Sequence, residues 1–249
     1  MHHVIKPSLL TNAVDVVVVG AGGTGSHMLM GLAQLHHAML ALGHPGGLNV
    51  AVYDSDTVSP TNVGRQMFFP SDVGRNKADV LVHRINMAMG VNWAAIPRRL
   101  DAVSNHTDIL IGCVDNRATR GLIHSFNHWG SMYWLDMGNT SHSGQIILGQ
   151  IGRKKELPNI GDLFPETIDP SLDAGDDTPS CSMAEALEKQ SLFINRAMAL
   201  YGLNLLSELF RHGKIDYHGV FVNLKTARTT PLKIDPQAWA RMGYAPQAA

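Results

Sequence analysis

The chain of 249 residues is long enough for one α/β domain with a continuous core. Twenty basic against 21 acidic residues leave no basic excess for a nucleic acid or an anionic membrane, and two cysteines cannot build a four-cysteine zinc site. No run approaches the roughly 18–20 apolar residues of a membrane span, and the first ten residues lack the sections of a secretory signal. We therefore expect a cytoplasmic protein with no nucleic-acid partner, no membrane contact and no zinc.

The first half of the chain alternates strands with helices. Residues 14–19 form the short β-branched run typical of a strand buried on both faces, and a glycine-rich turn leads from it into a helix pattern over 24–41. Further strands are predicted over 48–53, 91–96, 108–114, 132–137 and 143–151, and further helices from Ser71 or Asp72 to 89 and over 117–128. Alternation through residue 136 predicts a Rossmann-like, doubly wound, mainly parallel sheet.

The second half departs from this alternation. Residues 152–181 are polar and broken by prolines, which predicts a long crossover-type loop. A helix pattern over 182–210 and strands over 216–226 and 229–234 predict an antiparallel C-terminal extension, and 235–249 reads as a flexible tail. We expect residues 1–249 to form a single domain.

The turn after the first strand matches a phosphate-binding motif. Gly20, Gly22 and Gly25 in "GAGGTGS" fit the pattern G-x-G-x-x-G, in which a helix N-terminus receives a phosphate. NAD and ATP use the same turn, and Asp54 at the end of the second strand suits the ribose of either. These residues leave the choice between the two nucleotides open.

Residues after the second strand favour a polyphosphate. Ser59 can cap, and Pro60 can start, a short helical turn on which Asn62, Arg65 and Gln66 would share one face at i, i+3 and i+4. A guanidinium with an amide on each side is suited to hold a phosphate tail.

Two more charged residues complete this set. Lys77 lies near the start of the next predicted helix, within reach of the same pocket, and Asp115 at the end of the fourth strand offers the hard oxygen ligand that Mg²⁺ prefers. ATP uses three phosphates and Mg²⁺, whereas NAD has two phosphates and needs no metal. No G-x-x-x-x-G-K-[ST] loop occurs, so the sequence predicts an ATP site of another type.

These residues carry a family likeness. The segments "GAGGTGS", "DSDTVSPTNVGRQ", "GRNKAD", "CVDNRATR" and "WLDMGNTSHSGQI" occur in the order found in the ThiF/MoeB and ubiquitin-activating adenylyltransferases, and "TPSCSMAEALEKQSLFIN" extends the likeness. The chain thus resembles this family over most of its length, and within it the bacterial PRTRC-type ThiF proteins.

The resemblance implies a reaction and a set of site residues. MgATP would adenylate the C-terminal glycine carboxylate of a small β-grasp, ubiquitin-like partner, and the enzyme would be a homodimer. The implied nucleotide-binding residues are Gly20, Gly22, Gly23, Thr24, Gly25, Ser26, Asp54, Asp56, Asn62, Arg65, Gln66 and Lys77. The implied catalytic residues are Arg65, Lys77, Asp115 as the Mg²⁺ ligand, and Cys181 as the acceptor of the acyl group.

The two cysteines differ in their surroundings. Cys181 lies just before a predicted helix, where the helix N-terminus lowers the pKa of a thiol, whereas Cys113 lies in an apolar strand and reads as an inert packed thiol. The chain departs from the family in two features. It has neither of the C-x-x-C pairs of the zinc-bearing relatives, and before Gly20 it offers only Lys6 in place of the arginine that some dimeric relatives lend to the partner's site.

Several alternatives stay open on the sequence. Asp115 can simply cap the helix that begins near residue 117, Cys181 can be an ordinary thiol, and Arg65 and Lys77 can be solvated surface charges. At the level of function, the alternatives are an NAD-dependent oxidoreductase, a binding subunit without chemistry, and adenylation of a tRNA-borne or small-molecule carboxylate by the same fold.

Overall fold

An eight-stranded sheet organises this computed structural model, which describes residues 1–173 and 190–244. The strands are β1 (His3–Val4), β2 (Val14–Val19), β3 (Leu48–Tyr53), β4 (Ala94–Ile96), β5 (Ile109–Gly112), β6 (Ser131–Asn139), β7 (Ser143–Gly152), β8 (Lys214–Ile215), β9 (Tyr217–Asn223) and β10 (Arg228–Lys233). The sheet order is β10-β9-β7-β6-β5-β2-β3-β4, and β1 pairs with β8 separately.

The sheet has a parallel half and an antiparallel half. Neighbours from β6 through β5, β2 and β3 to β4 are parallel, whereas β7, β9 and β10 join by antiparallel pairing. The chain builds outward from β2 to β3 and β4, then crosses to β5 and β6 on the other side of β2. Both the doubly wound parallel sheet and its antiparallel C-terminal extension are confirmed.

Helices cover this sheet. They are α1 (Ser8–Thr11), α2 (Gly23–Ala41), α3 (Lys77–Met89), α4 (Arg117–His124), α5 (Ile160–Leu163), α6 (Ile194–His212) and α7 (Pro236–Arg241). Helix α2 packs against α6 so closely that a Cβ on Gly31 would overlap the Leu203 side chain. No helix in the described ranges is long and apolar enough to cross a membrane.

The central strands are buried because both of their faces are apolar. In β2 the side chains of Val14, Val16, Val18 and Val19 are at most 4% exposed, and all four residues of β5 are buried. Eight of the nine residues of β6 are buried as well. The β-branched run over 14–19, which Asp15 interrupts, thus forms a mostly buried strand in which only Asp15 and Val17 are half-buried.

The predicted start of the third helix is wrong. Helix α3 begins after Asn76, whose side chain accepts a hydrogen bond from the N–H three residues later at 3.1 Å. Asp72 instead caps a separate 3₁₀ turn (Pro70–Asp72). Gly74, with a φ of +86°, lies between the two and ends the first turn.

Other predicted elements are longer than the observed ones. The helix over 117–128 ends at His124, and the strand over 91–96 is confined to β4 because the Asn86 side chain occupies both backbone groups of Trp93. Of the helix predicted over 182–210, the described residues show α6 only from Ile194, since 190–193 form a bend and a turn. Its first residues, 182–189, lie outside the described ranges.

Two segments predicted to be irregular contain regular structure. The described part of 152–181 holds α5 and the 3₁₀ turns Pro165–Thr167 and Pro170–Leu172. The flexible tail predicted from 235 is wrong for helix α7, because Trp239 is 4% exposed and its Nε1 donates to His218 Nε2 at 2.9 Å. In both segments buried apolar side chains hold a short helix in place: Ile160 and Leu163 in α5, and Trp239 in α7.

Candidate adenylation site

The candidate site lies at the carboxyl edge of the parallel strands, where the chain changes direction. Val19 is level with Tyr53 on one side and with Gly112 on the other, so the segments that follow β2, β3 and β5 leave the sheet together. Open α/β sheets bind ligands at this switch point. The residues after these three strands are the ones that the sequence singled out.

The three motif glycines have three different surroundings. Gly20 has a φ of +92°, and a Cβ there would lie 2.7 Å from the Cys113 carbonyl oxygen, whereas a Cβ on Gly25 would overlap the carbonyl oxygen of Gly20. A Cβ added to Gly22 would meet nothing within 4 Å. Gly20 and Gly25 therefore close the turn, and Gly22 leaves space above it for a ligand.

The start of α2 offers unused donors. Ser26 N–H bonds to the Gly22 carbonyl at 3.0 Å, but the N–H groups of Gly23, Thr24 and Gly25 have no acceptor within the described ranges. These groups carry the positive end of the helix dipole. They fit a phosphate, which needs donors and positive potential in a small volume.

The hydroxyl groups of this turn are used by the protein itself. Thr24 Oγ1 donates to Asn195 Oδ1 at 3.2 Å, and Ser26 Oγ donates to the Gly23 carbonyl at 3.0 Å while accepting from Met67 N–H at 3.2 Å. Both residues are buried. Backbone N–H groups, rather than these hydroxyls, are therefore the groups available to a phosphate.

Asp54 joins the end of β3 to the glycine turn. Its Oδ2 accepts from Ala21 N–H at 2.6 Å and its Oδ1 accepts from Asp56 N–H at 2.8 Å. Burial raises the pKa of the Asp54 carboxyl, although both hydrogen bonds and the charge of Lys77 oppose this shift. A carboxylate fixed beside the turn suits a ribose hydroxyl, which would donate to a free lone pair.

Lys77 points back to the segment after β3. Its Nζ lies 3.0 Å from Asp56 Oδ2, and its own N–H donates to the Asp56 carbonyl at 2.9 Å. The lysine side chain is 11% exposed and the aspartate side chain 62%. An ammonium group has three donors, so a phosphate could share Lys77 with Asp56.

Arg65 and Gln66 do not lie on the helical face that the sequence predicted. The 3₁₀ turn covers only Pro60–Asn62 and ends at Val63, which is extended. Asn62 uses its side-chain oxygen to accept Ser59 N–H at 2.9 Å, so this oxygen shapes the loop. The predicted helical turn therefore ends before Arg65, although the N–H groups of Arg65 and Gln66 still donate to the Asn62 carbonyl at 3.3 Å and 2.9 Å.

The Arg65 loop nevertheless presents polar atoms that lack partners. Arg65 Nε and Gln66 Oε1 are buried and have no hydrogen-bond partner among the described residues. Arg65 Nη1 lies 3.5 Å from Gln190 Oε1, which is the long limit for a hydrogen bond. Burial lowers the pKa of the Arg65 guanidinium. Buried polar groups without partners are costly, and a bound anion would satisfy this arginine.

Asp115 follows β5 and is exposed. The N-cap of α4 is Asn116 and not Asp115, because the Asn116 side chain accepts from Thr119 N–H at 2.8 Å. No hydrogen bond or ion pair to Asp115 is formed by any other residue of the described chain. One free carboxylate suits Mg²⁺ that is held mainly by phosphate oxygens and water. The described residues contain no cluster of three or more His, Cys, Asp or Glu side chains that could hold a metal by themselves.

Comparison with known proteins identifies the family of the chain. A model of the ThiF family matches residues 9–238. The chain belongs to the ThiF family. This confirms the family inferred from the sequence motifs.

The relatives of this ThiF protein are mostly longer. The chain is 32% identical to adenylyltransferase and sulfurtransferase UBA4 of Vanderwaltozyma polyspora, with 67% of this chain and 37% of that protein covered. It is 32% identical to ubiquitin-activating enzyme E1 1 of Candida albicans, with 63% and 16% covered. A crystal structure of E. coli MccB with ATP shares the fold at a TM-score of 0.58 and 16% identity, with 96% of this chain and 67% of that chain covered. The chain thus spans well under half the length of these curated relatives.

A buried ion pair lies beside the candidate site of this ThiF protein, and neither of its residues was given a role from the sequence. Arg120 Nε lies 2.9 Å and 3.2 Å from the two carboxylate oxygens of Asp136, and its NH2 group donates to the Val114 carbonyl at 2.7 Å. Both side chains are buried, and Asp136 is level with Gly112 in the sheet. The pair braces the segment that leads to Asp115. Asp136 inside the apolar run "MYWLDM" is a sign in the sequence that a buried charge needs a partner, but it does not say which residue supplies it.

Three further residues that the sequence singled out in this ThiF protein are the two cysteines and Lys6. Burial raises the pKa of the Cys113 thiol, as expected for a packed cysteine. Cys181 lies outside the described residues, so its proposed role is a prediction. Lys6 lies over the Tyr133 ring, with its Nζ 5.8 Å from the ring centre, and burial lowers its pKa. Tyr133 N–H donates to the Asp108 carbonyl at 2.9 Å, and Tyr133 is level with Ile109 at the start of β5. Lys6 therefore lies at the amino edge of the parallel strands, remote from the phosphate turn of its own chain.

Proposed function

We propose that this ThiF-family protein adenylates a carboxylate with MgATP, and that the carboxylate is the C-terminal glycine of a small β-grasp, ubiquitin-like protein. One observation carries the nucleotide part. Free N–H groups at the start of α2 face the open space at Gly22, while the Arg65 loop contributes buried polar atoms that lack protein partners among the described residues. The choice of partner is supported by the sequence motifs and by relatives named as ubiquitin-activating enzyme and UBA4.

In the proposed reaction, a carboxylate oxygen of the partner attacks the α-phosphorus of ATP. A new P–O bond forms, the bond from that phosphorus to the bridging oxygen breaks, and pyrophosphate leaves with the electron pair. Negative charge accumulates on the α-phosphate and on the departing pyrophosphate. The protein's task is to hold these groups in line and to stabilise that charge.

The residues divide this task by their chemistry. The N–H groups at the start of α2, the Arg65 guanidinium and the Lys77 ammonium would bind phosphate oxygens, with Gln66 beside them. Asp54 would bind the ribose. Asp115 would hold Mg²⁺, which neutralises phosphate charge when bound.

A second step is proposed for Cys181. Its thiolate would attack the carbonyl carbon of the acyl-adenylate, and AMP would leave as the thioester forms. We expect Cys181→Ser to keep ATP–pyrophosphate exchange and to lose any thiol-labile adduct with the partner. An adduct that persists in this variant would remove Cys181 from the mechanism.

The first test of the nucleotide site is a set of thermal melts in MgATP, in NAD and in neither ligand. A ligand at about 100 times its Kd adds about 2.7 kcal/mol, which is a shift of roughly 5–10 °C for a domain of this size. We expect MgATP to stabilise the wild type, and Arg65→Ala and Asp115→Ala to reduce that shift. Arg211→Ala is the matched control, since this exposed arginine lies near the far end of α6.

Each alternative function predicts a different result. Stabilisation by NAD alone would mean that the turn serves an oxidoreductase, and no response to either nucleotide would favour a binding subunit. ATP–pyrophosphate exchange then tests the carboxylate: we expect exchange only with a glycine-ended β-grasp protein. Exchange that ignores this protein and responds to a small-molecule or tRNA-borne carboxylate would overturn the proposed partner. The homodimer is also a proposal, and light scattering of the purified protein tests it.

A further inference from the structure

The first turn of α6 is packed directly onto the glycine-rich turn. Asn195 is 7% exposed, and its Oδ1 accepts from Thr24 Oγ1 at 3.2 Å. A Cβ on Gly23 would lie 2.5 Å from Asn195 Nδ2 and 2.7 Å from its Cγ. The amide therefore rests on the first residue of α2 in a space that admits no further atom.

The same amide connects the turn to Arg65. Its Nδ2 donates to Gln190 Oε1 at 3.1 Å, and this oxygen also receives NH1 of Arg65 at 3.5 Å. One side chain thus supplies an acceptor toward the glycine turn and a donor toward the arginine. Asparagine can do both because its amide carries both kinds of group in one plane.

We infer that Asn195 is a positioning residue for the nucleotide, and this inference rests on the proposed function. The phosphates must be held at once by the N–H groups of α2 and by the Arg65 guanidinium, which come from distant parts of the chain. The chain of contacts from Thr24 through Asn195 and Gln190 sets the separation of these two groups. Pre-organising these two groups lowers the entropic cost of binding. If one of them is misplaced, the phosphates it holds can no longer make good hydrogen bonds to the other.

The test is calorimetric titration with MgATP. We expect Asn195→Ala to raise the Kd about tenfold, because it removes one hydrogen bond on each side of the link. Asn204→Ala is the matched control: it lies on the same helix, is exposed, and reaches only Tyr217 Oη at 3.4 Å. We expect the control to bind MgATP as the wild type does.

A positioning role also predicts coupling between Asn195 and Arg65. In an Arg65→Lys background, which keeps the charge but has no guanidinium to contact Gln190, the Asn195→Ala substitution is expected to have little further effect. Equal effects of Asn195→Ala in both backgrounds would show a merely structural role and overturn the inference. If Asn195→Ala does not fold, Thr24→Val removes the same link from the other side and is expected to weaken binding in the same background-dependent way.

The outcomes separate this inference from the proposed function. A wild type that binds MgATP while Asn195→Ala and Thr24→Val bind equally well overturns the positioning role alone. A wild type that fails to bind MgATP overturns both.

Discussion

At the scale of single residues, the nucleotide turn depends on the space that two glycines leave. Gly25 faces the backbone carbonyl of Gly20, which an added Cβ would overlap, whereas Gly22 faces open space. The same methyl group therefore acts on folding at one position and on ligand access at the other. This difference gives a test within one motif.

We expect Gly25→Ala to destabilise the protein by about 3 kcal/mol, because the added Cβ overlaps the Gly20 carbonyl oxygen. Gly22→Ala should cost about 1 kcal/mol or less and yet weaken MgATP binding strongly, since its methyl group occupies the approach of the phosphate. Thermal melts and calorimetric titration of the two variants measure these effects. Unchanged MgATP affinity in Gly22→Ala would place the phosphate elsewhere.

At the scale of elements, charged side chains join the strands to the loops that carry the site. The pair of Arg120 and Asp136 ties α4 to β6 and also holds the Val114 carbonyl, one residue before Asp115. Both charges are out of water, so neither can be removed alone without leaving the other unpaired.

We expect Asp136→Asn and Arg120→Met each to lower the free energy of unfolding by about 3–5 kcal/mol, which urea denaturation measures. The double variant Arg120→Met with Asp136→Leu should be more stable than either single variant, because no buried charge is left unpaired. Its affinity for MgATP should stay low, because the anchor of the segment before Asp115 is lost. Wild-type MgATP affinity in the double variant would show that the pair serves stability alone.

At the scale of the whole molecule, buried histidines fasten the termini to the sheet. His218 is fully buried in β9, with Nδ1 bonded to the Leu148 carbonyl at 3.0 Å and Nε2 accepting from Trp239 of α7. At the other terminus, His3 lies between Tyr133 Oη at 2.6 Å and Glu156 at 2.9 Å. In both histidines burial lowers the pKa, that of His218 to about 4.

This arrangement predicts a loss of stability in mild acid. These histidines bind protons less readily in the folded state than in the unfolded state, where their pKa is 6.5. Their contribution to the free energy of unfolding is therefore present above pH 6.5 and is lost as the pH falls toward 4. For His218 alone the loss between pH 7.5 and pH 5 is about 2 kcal/mol. Burial raises the pKa of the Asp54 and Asp108 carboxyls, so these two groups bind protons more readily in the folded state and act in the opposite direction.

Urea midpoints across this pH range test the prediction. We expect His218→Gln to be less stable than the wild type at pH 7.5 and to lose less stability on acidification. His106→Gln, at an exposed position, is the control and should follow the wild-type slope. A wild type equally stable at pH 5 and pH 7.5 would contradict the buried neutral state of His218.

Sequence patterns alone were enough to predict the family, the parallel sheet with its antiparallel extension, and the segments that gather at the carboxyl edge. These features depend on local patterns: β-branched runs make buried strands, a glycine motif makes one kind of turn, and parallel strand ends must meet at one edge. The same patterns placed Asp54, Lys77 and Asp115 on the segments that follow β3 and β5.

Which polar atoms are free and which are already hydrogen-bonded depends on how the chain packs in three dimensions. Thr24, Ser26 and Asn62 were expected to face phosphate, but their side chains bond to groups of the protein. The partners of the first two include Asn195 and Met67, which are distant in the chain. Hydrogen bonding between such residues depends on how the helices and loops pack, and no local period records it. For the same reason Asn195, and the pairing of Arg120 with Asp136, became visible only once the chain was folded.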